Sequence, residues 1–415
     1  MQQETLQREG KVAYIGNGLK RQREKAELKG QIQREIRSRY GLRIRLVPEA
    51  ACVGIVTGAV VLLNRLLISH IQPMVRSIYS WGTGNPVAAG AVLFGAACVG
   101  VATGFLVKKE PLISGSGIPQ VKGELAGAIR PVWYRVLALK FVGGLMTLGA
   151  GLTMGREGPS VQMGAAVGRG ASELFRRPET EKKYLVTSGA AAGLAAAFHA
   201  PMAGVVFALE EGHQNFSATA LVSAMAGAIA ADFVSSSAFG LKPVLSFSAV
   251  PSFPLNEFWI IVPLGILVGA AGVLFNRLIL VSKNLYDKIR CPVWIKTAIP
   301  FIITGIACMC LPSLFGSGES LIGEGAPLGM GYGGLLLLLG LKFLLLLICF
   351  GSGLPGGIFF PLLVIGSLYG MILGTFTTQV LGLPTEILTV IVLLAMAAHF
   401  AAIVRAPVTG ILLVS

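Results

Sequence analysis

The eight residues GREGPSVQ at 155–162 combine helix-breaking glycine and proline with an adjacent arginine and glutamate. Glycine readily ends a helix, and proline is favoured in the first turn of the next one. The stretch therefore predicts a helix that begins with the carboxylate of Glu157 in its first turn. Apolar residues on both sides place this break inside a membrane, where free backbone N–H and C=O groups are costly unless they line a polar cavity. The stretch thus indicates a binding site within a membrane protein.

The composition supports this interpretation. Hydrophobic residues make up 54% of the 415 residues and charged residues only 13%, against about 25% in ordinary soluble proteins. The 54 glycines follow no Gly-X-Y period, which excludes collagen, and no long polar linker divides the chain. We therefore expect one large all-α polytopic membrane unit. The predicted spans are 50–63, 87–107, 136–154, 258–275, 298–311, 335–350 and 387–404, and further segments at 115–128, 185–213 and 316–330 are short or interrupted by Gly and Pro.

The net charge of +14 is concentrated near the beginning of the chain. Residues 1–46 hold twelve Lys and Arg against five Glu, a local charge of +7. A basic segment before the first apolar run is placed in the cytoplasm by the positive-inside rule. We therefore predict a multi-pass protein of the cell membrane with a cytoplasmic tail at 1–46 that sets the topology, with a minor role in lipid headgroup contact as the lesser alternative, and no nucleic-acid partner. The mixed-charge cluster at 169–183 is expected to be a solvated connection on the same side.

The cysteines and histidines suggest no metal or redox chemistry. The six cysteines form no CxxC and mostly lie in apolar runs, and His70 and His399 show no ligand spacing. We expect no disulfide framework, metal site or cofactor. No early apolar segment suggests a cleavable signal peptide.

The chain repeats itself weakly at a separation of about 200 residues. Gly115-Ser-Gly117 recurs as Gly316-Ser-Gly318, and the segment 195–204 recurs at 401–410 with its Ala-Pro and final Gly in register. The glycine-rich breaks after 155 and after 353 are similarly spaced. Two halves with matched broken helices are typical of repeat transporters, whose site lies where the halves meet.

The repeat predicts one transmembrane domain at 47–415, with a first repeat at about 47–235 and a second at about 255–415. If the halves match, the second should continue past Ser415. We therefore expect the sequence to be truncated by one or two terminal helices.

Three segments combine helix breaks with groups suited to an anion. These are Gly115-Ser-Gly-Ile-Pro119, the stretch that begins at Gly155, and the segment 353–361, GLPGGIFFP. A helix N-terminus carries about half a positive charge and unpaired N–H groups. Several such ends converging on one point could bind a small anion weakly enough for release.

These segments resemble the CLC family of chloride channels and proton/chloride exchangers. GSGIP at 115–119, GREGP at 155–159 and GGIFFP at 356–361 occur in the family's order and spacing, and the resemblance covers roughly 50–415. It implies a CLC-type inverted-repeat fold with many tilted and broken helices, and a homodimer with one pathway per subunit. It also implies a transporter of chloride and protons rather than an enzyme.

The resemblance implies roles for individual residues. Ser116 would donate its hydroxyl to the anion, Gly117 and Ile118 would flank it, and Ile358 and Phe359 would donate backbone N–H groups. Glu157 would be the gate, whose ionised carboxylate occupies the anion pathway and whose protonated form admits chloride. The alternative is an ordinary helix-capping acid. Motif residues that would support the site are Gly115, Pro119, Gly155, Arg156, Gly158, Pro159, Gly357 and Pro361.

A second acid decides between exchanger and channel. Coupled family members carry a glutamate on the cytoplasmic side, and alignment on Ala200-Pro201 and Gly204 puts Glu211 at that position and Glu210 at a more widely shared acid. A carboxylate in or near the membrane is costly and therefore suggests a functional role. The alternative is that Glu210 and Glu211 are merely an acidic pair at a helix end. The favoured function is a proton-coupled chloride antiporter, with a passive voltage- or pH-gated chloride channel as the alternative.

Other features bear on selectivity and on rival functions. Nitrate-preferring members tend to have Pro where Ser116 stands, and the fluoride branch departs from GREGP, so chloride is the favoured anion. The chain departs from many members at Gln120 and Lys122, where acids are common. Lys140, in an apolar run, would adjust the field near the pathway or pair with an acid. An intramembrane serine hydrolase using Ser116 and His199 is a minor alternative, because it explains neither the carboxylate of GREGP nor the repeated half. His199 is expected to have a structural role at a helix break.

Overall fold

The computed structural model describes residues 2–213, 217–240, 244–245, 253–322, 330–385 and 387–414, with the backbone alone for 2–40 and His213. Contacts divide the chain into two units, Met1–Pro48 and Glu49–Ser415. Most of the first unit is helical backbone, and the side chains of the predicted tail up to residue 40 lie outside the described part.

The described secondary structure is helical apart from one isolated β-bridge. A π-helix, Ala208–His213, continues α7, and short 3₁₀ turns join several of the other helices. The α-helices are α1 (Gln2–Gly82), α2 (Pro86–Lys109), α3 (Ile118–Leu125), α4 (Trp133–Gly149), α5 (Glu157–Leu174), α6 (Glu179–Phe198), α7 (Pro201–Phe207), α8 (Ala218–Phe239), α9 (Ile261–Lys288), α10 (Val293–Lys296), α11 (Ala298–Cys310), α12 (Tyr332–Gly351), α13 (Phe359–Gln379), α14 (Ile387–Val404) and α15 (Pro407–Val414).

Eight helical segments of the described chain are long and apolar enough to cross a membrane. The predicted apolar runs all fall largely in helices, but the run at 136–154 was too long, because α4 ends at Gly149. Two of the eight segments, Ala218–Phe239 and Phe359–Gln379, were not predicted, because serine, threonine and glycine lower their mean hydropathy. The eight segments are Gly41–Gly82, Pro86–Lys109, Ala218–Phe239, Leu255–Lys288, Val293–Cys310, Tyr332–Gly351, Phe359–Gln379 and Ile387–Val404.

The predicted internal repeat is present in the backbone. The series α4, α5, α6, α7 is matched by α12, α13, α14, α15 about 200 residues later. Gly117 and Gly318 share a left-handed conformation, with φ of 91° and 94°, and so do His199 and Arg405, with φ of 56° and 63°. In both halves a left-handed residue thus ends one helix and is followed by the Ala-Pro that begins the next. Ala200, the residue before Pro201, is non-helical, with φ of −136° and ψ of 78°, as expected because the helical region is disfavoured before proline.

The segment 185–213 is less interrupted than its glycines suggest. Helix α6 runs unbroken to Phe198 through Gly189 and Gly193, and the break comes only at His199 and Ala200. The glycines serve packing instead. A Cβ built on Gly193 would meet the backbone of Ser160 on α5.

Helices α5 and α6 approach each other backbone to backbone. A Cβ on Gly164 would lie 2.8 Å from the carbonyl carbon of Gly189, and one on Gly189 would lie 2.7 Å from that of Gly164. One turn further along α5, a Cβ on Gly168 would lie 2.7 Å from the carbonyl carbon of Leu185. Small residues at such spacing let membrane helices pack closely, and this packing fixes the start of α5.

The charged cluster at 169–183 is largely exposed, as a solvated connection would be, but two of its arginines are covered. Arg169 is 9% exposed and bonds Glu124 at 2.9 Å. Arg177 is also mostly covered and pairs with Glu49 and Glu181. The pairs with Glu124 and Glu49 join the cluster to other helices, whereas its remaining charges are exposed or half-buried.

Substituting Gly164 by alanine should weaken the fold. Its new Cβ would press on the backbone of Gly189 and the methyl group of Thr57, which cannot move without separating the helices. We expect Gly164→Ala to lower the free energy of unfolding by about 1–3 kcal/mol, measured by thermal unfolding of the purified protein in detergent.

Gly144→Ala on α4 is the matched control. No heavy atom lies within 4 Å of a Cβ at this buried site, and alanine favours a helix over glycine by about 1 kcal/mol. Equal melting temperatures for the two variants would contradict the packing argument.

Candidate functional site

The breaks of the two halves are joined by backbone hydrogen bonds. The N–H of Gly155 donates to the carbonyl of Gly357 at 2.7 Å, and the N–H of Gly357 donates back at 2.6 Å. The first-half loop at Gly115 joins the same assembly, since it donates to Gly353 at 3.3 Å and accepts from Gly356 at 3.1 Å. The three motifs found in the sequence therefore meet where the halves meet.

Gly158 shows how closely these motifs approach. A Cβ at this position would lie 2.9 Å from the Cβ and the carbonyl oxygen of Ser116, and 3.2 Å from the Cα of Gly357. Helices α3, α5 and α13 each begin within two residues of these contacts. Three helix N-termini, with their partial positive charges and unpaired N–H groups, thus converge.

The residues expected to contact the anion lie at these helix starts. Ser116 is 7% exposed, and its Oγ accepts from the Ile118 N–H at 3.3 Å, which leaves the hydroxyl proton free to donate. Gly117 is the left-handed N-cap of α3, where a Cβ would overlap Gln162. Ile358 and Phe359 are the N-cap and first residue of α13, and amides at these positions have no partner within the helix.

Glu157 is the first residue of α5 and is 1% exposed. Its Oε2 lies against the Cα of Gly155, where a Cβ would overlap it and would lie 3.3 Å from the Phe360 amide nitrogen. The carboxylate therefore sits at the start of α13. This Oε2 has no hydrogen-bond partner among the described residues, so a carboxyl group is held beside the amides that suit an anion.

A small cavity of about 30 Å³ adjoins Glu157. Arg156 and Glu319 line it and form an ion pair of 2.9 Å. Glu319 was missed in the sequence, although it directly follows the repeated Gly316-Ser-Gly318. The remaining lining residues are Ile68, Gln72, Leu148, Met154 and Ser317.

Two buried lysines support the loops of the two halves. Lys140 is 0% exposed and donates to the carbonyls of Ile113 at 2.8 Å and Gly115 at 2.7 Å. Lys342, 1% exposed, makes the same pair of bonds to Leu314 and Gly316, both at 2.8 Å. Lys140 thus bonds loop carbonyls rather than an acid. The two sets of bonds are related by the internal repeat, a match that the sequence spacing of the lysines could have revealed.

The two sequence-predicted acids of the π-helix have different partners. Glu211 pairs with Lys122 of α3 at 2.9 Å, and its side chain is 21% exposed. Glu210 accepts from the backbone N–H and the hydroxyl of Thr409, at 3.2 and 2.9 Å, and so caps α15. Glu210 is therefore occupied in joining the halves, whereas Glu211 is partly open to solvent.

Glu157 and Glu211 lie towards opposite ends of α5. Helix α3 begins beside Glu157 and carries both Lys122, which holds Glu211, and Glu124, which pairs with Arg169. Arg169 lies twelve residues along α5 from Glu157, or about 18 Å at 1.5 Å per residue. Helix α3 thus connects the two ends.

The geometry gives no support to a Ser-His pair. His199 ends α6 in a left-handed conformation and bonds Arg65 through Nε2 at 2.6 Å. Its Nδ1 faces Ser236 and Asp232, each at 3.4 Å, and the Ser116 hydroxyl is held by α3. Within the described part of the chain, no group of three His, Cys, Asp or Glu side chains is placed to hold a metal ion.

Residues 95–415 match the family described as voltage gated chloride channel. The H(+)/Cl(-) exchange transporter ClcA of Vibrio parahaemolyticus is 39% identical over 343 residues, which cover 80% of this chain and 73% of that protein. The transporter of the same name from Yersinia pseudotuberculosis is 35% identical over 396 residues, 93% of this chain and 83% of its own length.

Comparison with solved structures points to the same family. A slow cyanobacterial Cl-/H+ antiporter is similar with a TM-score of 0.81 and 32% identity, over 89% of this chain and 88% of that one. A CLC-type fluoride/proton antiporter shares the fold at a TM-score of 0.70 and 21% identity, over 89% and 93% of the two chains. The chain belongs to the CLC family. The predicted all-α, inverted-repeat membrane fold is confirmed.

Removing the Lys140 ammonium should weaken anion binding. Lys140→Met would leave two buried carbonyls of the loop that carries Ser116 without their partner. Without these bonds the Ser116 hydroxyl is no longer held in place. A hydrogen bond to a charged group contributes about 1.5–3 kcal/mol, so loss of the bond from Ser116 to chloride should raise the dissociation constant for chloride about tenfold or more, measured by calorimetric titration in detergent.

Lys342→Met provides the comparison, because Lys342 makes the same bonds to the loop of the other half. This loop carries Ser317 rather than Ser116, so chloride affinity should change by less than about threefold. An equal loss of affinity in both variants would indicate general loosening of the fold.

Proposed function

We propose that this protein is a proton-coupled chloride antiporter of the cell membrane. The observation that carries the proposal is the position of Glu157, a buried carboxylate at the meeting point of three helix starts. The names of its relatives, H(+)/Cl(-) exchange transporters, support the same conclusion. The protein would move ions without covalent chemistry.

Chloride would bind between the starts of α3 and α13. The Ser116 hydroxyl would donate to it from the first half, and the amides of Ile358 and Phe359 from the second, with Gly117 and Ile118 alongside. Partial charges at helix ends attract an anion without the full charge of a lysine or arginine. Binding would therefore be selective for a small anion and still reversible.

Glu157 would exchange places with chloride. Its ionised carboxylate and the anion compete for the same amides of α13, so the pathway stays occupied until the carboxylate takes up a proton. A neutral Glu157 has less attraction to the helix starts and would move into the adjoining cavity, admitting chloride. Each chloride step thereby depends on a protonation step.

Glu211 would pass protons to Glu157 from the other side of the membrane. It lies towards the far end of α5, in contact with Lys122 and partly exposed. This placement separates the proton entrance from the anion site by most of a helix length. A chloride channel remains the second candidate, and the acid at position 211 favours the exchanger over it.

We further propose the orientation and assembly. The excess of Lys and Arg in 1–46 favours a cytoplasmic tail, with minor contact to lipid headgroups, and Glu211 would face the same compartment. The family resemblance favours a homodimer with one pathway per subunit, each unit containing a transmembrane domain at 47–415 with repeats at about 47–235 and 255–415.

Two substitutions test the coupling. Glu211→Gln should abolish proton movement driven by a chloride gradient in liposomes while chloride flux continues, because the amide cannot carry a proton. Glu157→Ala should also uncouple the ions, because chloride no longer competes with a carboxylate. Proton uptake and chloride efflux are recorded together on the same vesicles.

Glu210→Gln is the matched control for position 211. It is the neighbouring acid with the same chemical change, and the amide oxygen can still accept from Thr409. We expect coupling to persist in this variant. Absence of chloride-driven proton movement in the unmodified protein would sink the exchanger in favour of the channel, and retained coupling in Glu211→Gln would refute the assigned role of Glu211.

A further inference from the structure

The cavity beside Glu157 is lined by an ion pair that joins the two halves. Arg156 belongs to the first-half break and Glu319 to the turn after the second-half Gly316-Ser-Gly318 loop, and Arg156 Nη2 lies 2.9 Å from Glu319 Oε1. The side chain of Arg156 is 14% exposed and that of Glu319 is 50% exposed. Glu319 is thus the solvent-facing acid of a cavity that Glu157 also lines.

We propose that Glu319 is a positioning residue for the gate. By holding Arg156, it sets the pH at which Glu157 takes up a proton from the cavity. This rests on the proposed gating role of Glu157, and adds to it a second acid that tunes that role.

The charges around Arg156 give the direction of the effect. Arg156 lies next to Glu157 in the chain, and its Nε is buried without a hydrogen-bond partner among the described residues, as is Glu157 Oε2. Within the described part of the chain, Arg156 is therefore ion-paired with Glu319 alone, while its charge and that of Glu319 both act on the Glu157 carboxylate through space. If Glu319 becomes neutral, the charge of Arg156 is left to stabilise ionised Glu157, and the repulsion between the two acids disappears. Both changes favour the ionised gate.

The other groups that face this cavity do not compensate. Arg65 of α1 is the next charged group that interacts with Arg156 and Glu319, but its Nη1 is bonded to His199 and its guanidinium lies 3.8 Å from the centre of the Phe239 ring. Among the described lining residues, Gln72 and Ser317 are neutral, α4 contributes Leu148, and α13 faces Glu157 with a backbone amide. Arg156 is therefore the charged group whose effect on Glu157 changes when Glu319 becomes neutral.

The test is the pH profile of chloride flux from liposomes, with the same pH on both sides so that protein orientation does not matter. Protonation of Glu157 should make the flux rise as the pH falls. In Glu319→Gln we expect the half-maximal pH to move by roughly one unit towards acid, the size of a nearby full charge in a partly screened site. Glu319→Asp, which keeps the charge, should restore most of the original profile.

Glu173→Gln is the matched control. Glu173 is similarly exposed, at 44%, and also pairs with a largely covered arginine, Arg169 at 3.3 Å. Glu173 lies near the opposite end of α5 from Glu157, so the pH profile of chloride flux in Glu173→Gln should match that of the unmodified protein. An equal shift in Glu173→Gln would overturn the proposal, because the shift would then result from the change in the net charge of the protein rather than from the position of Glu319.

A second background tests whether the effect passes through the gate. In Glu157→Ala, adding Glu319→Gln should shift nothing, since no gate carboxylate remains. An unshifted profile for Glu319→Gln alone, or a shift that persists without Glu157, would overturn the role of Glu319. These outcomes are distinct from failure of the antiporter assignment, which would appear as absent proton movement in the unmodified protein.

Discussion

The reciprocal hydrogen bonds between Gly155 and Gly357 are the contact on which the rest of the structure depends. Helices that break inside a membrane leave backbone groups that hydrocarbon cannot satisfy. Here the break of each half supplies partners for the break of the other. Lys140 and Lys342 then satisfy further loop carbonyls, one set in each half. The repeat is therefore a solution to the problem of unpaired backbone, because each half stabilises an interruption that neither could stabilise alone.

Several helix starts can meet at one point only where side chains do not separate their backbones. Gly158 lies so close to Ser116 and Gly357 that a single Cβ would displace backbone. The close approach of α5 and α6 has the same origin, since Gly164 and Gly189 face each other without side chains. The many glycines thus serve proximity more than flexibility. Proximity in turn lets several helix starts act on one anion, where a single start would attract it only weakly.

The electrostatic balance at the site follows from this geometry. Helix ends offer partial positive charges, and the buried carboxylate of Glu157 lies beside them. The only full positive charge in the adjoining cavity wall among the described residues, Arg156, is already paired with Glu319. Towards the far end of α5, Lys122 and Glu211 form a separate, partly solvated ion pair. An ion pair therefore lies near each end of this helix.

The sequence by itself determined the class of protein, the breaks and their order, because apolar content, glycine and proline act locally. It also determined the repeat, since GSG and Ala-Pro recur at fixed spacing. It could not show that Lys140 bonds carbonyls, that Arg169 is covered by its partners, or that Glu319 faces Arg156. Those contacts join residues far apart in the chain, and only the packing of the two halves brings them together. Local residue types predict where helices end, whereas the tertiary structure decides which ends meet and which charges they share.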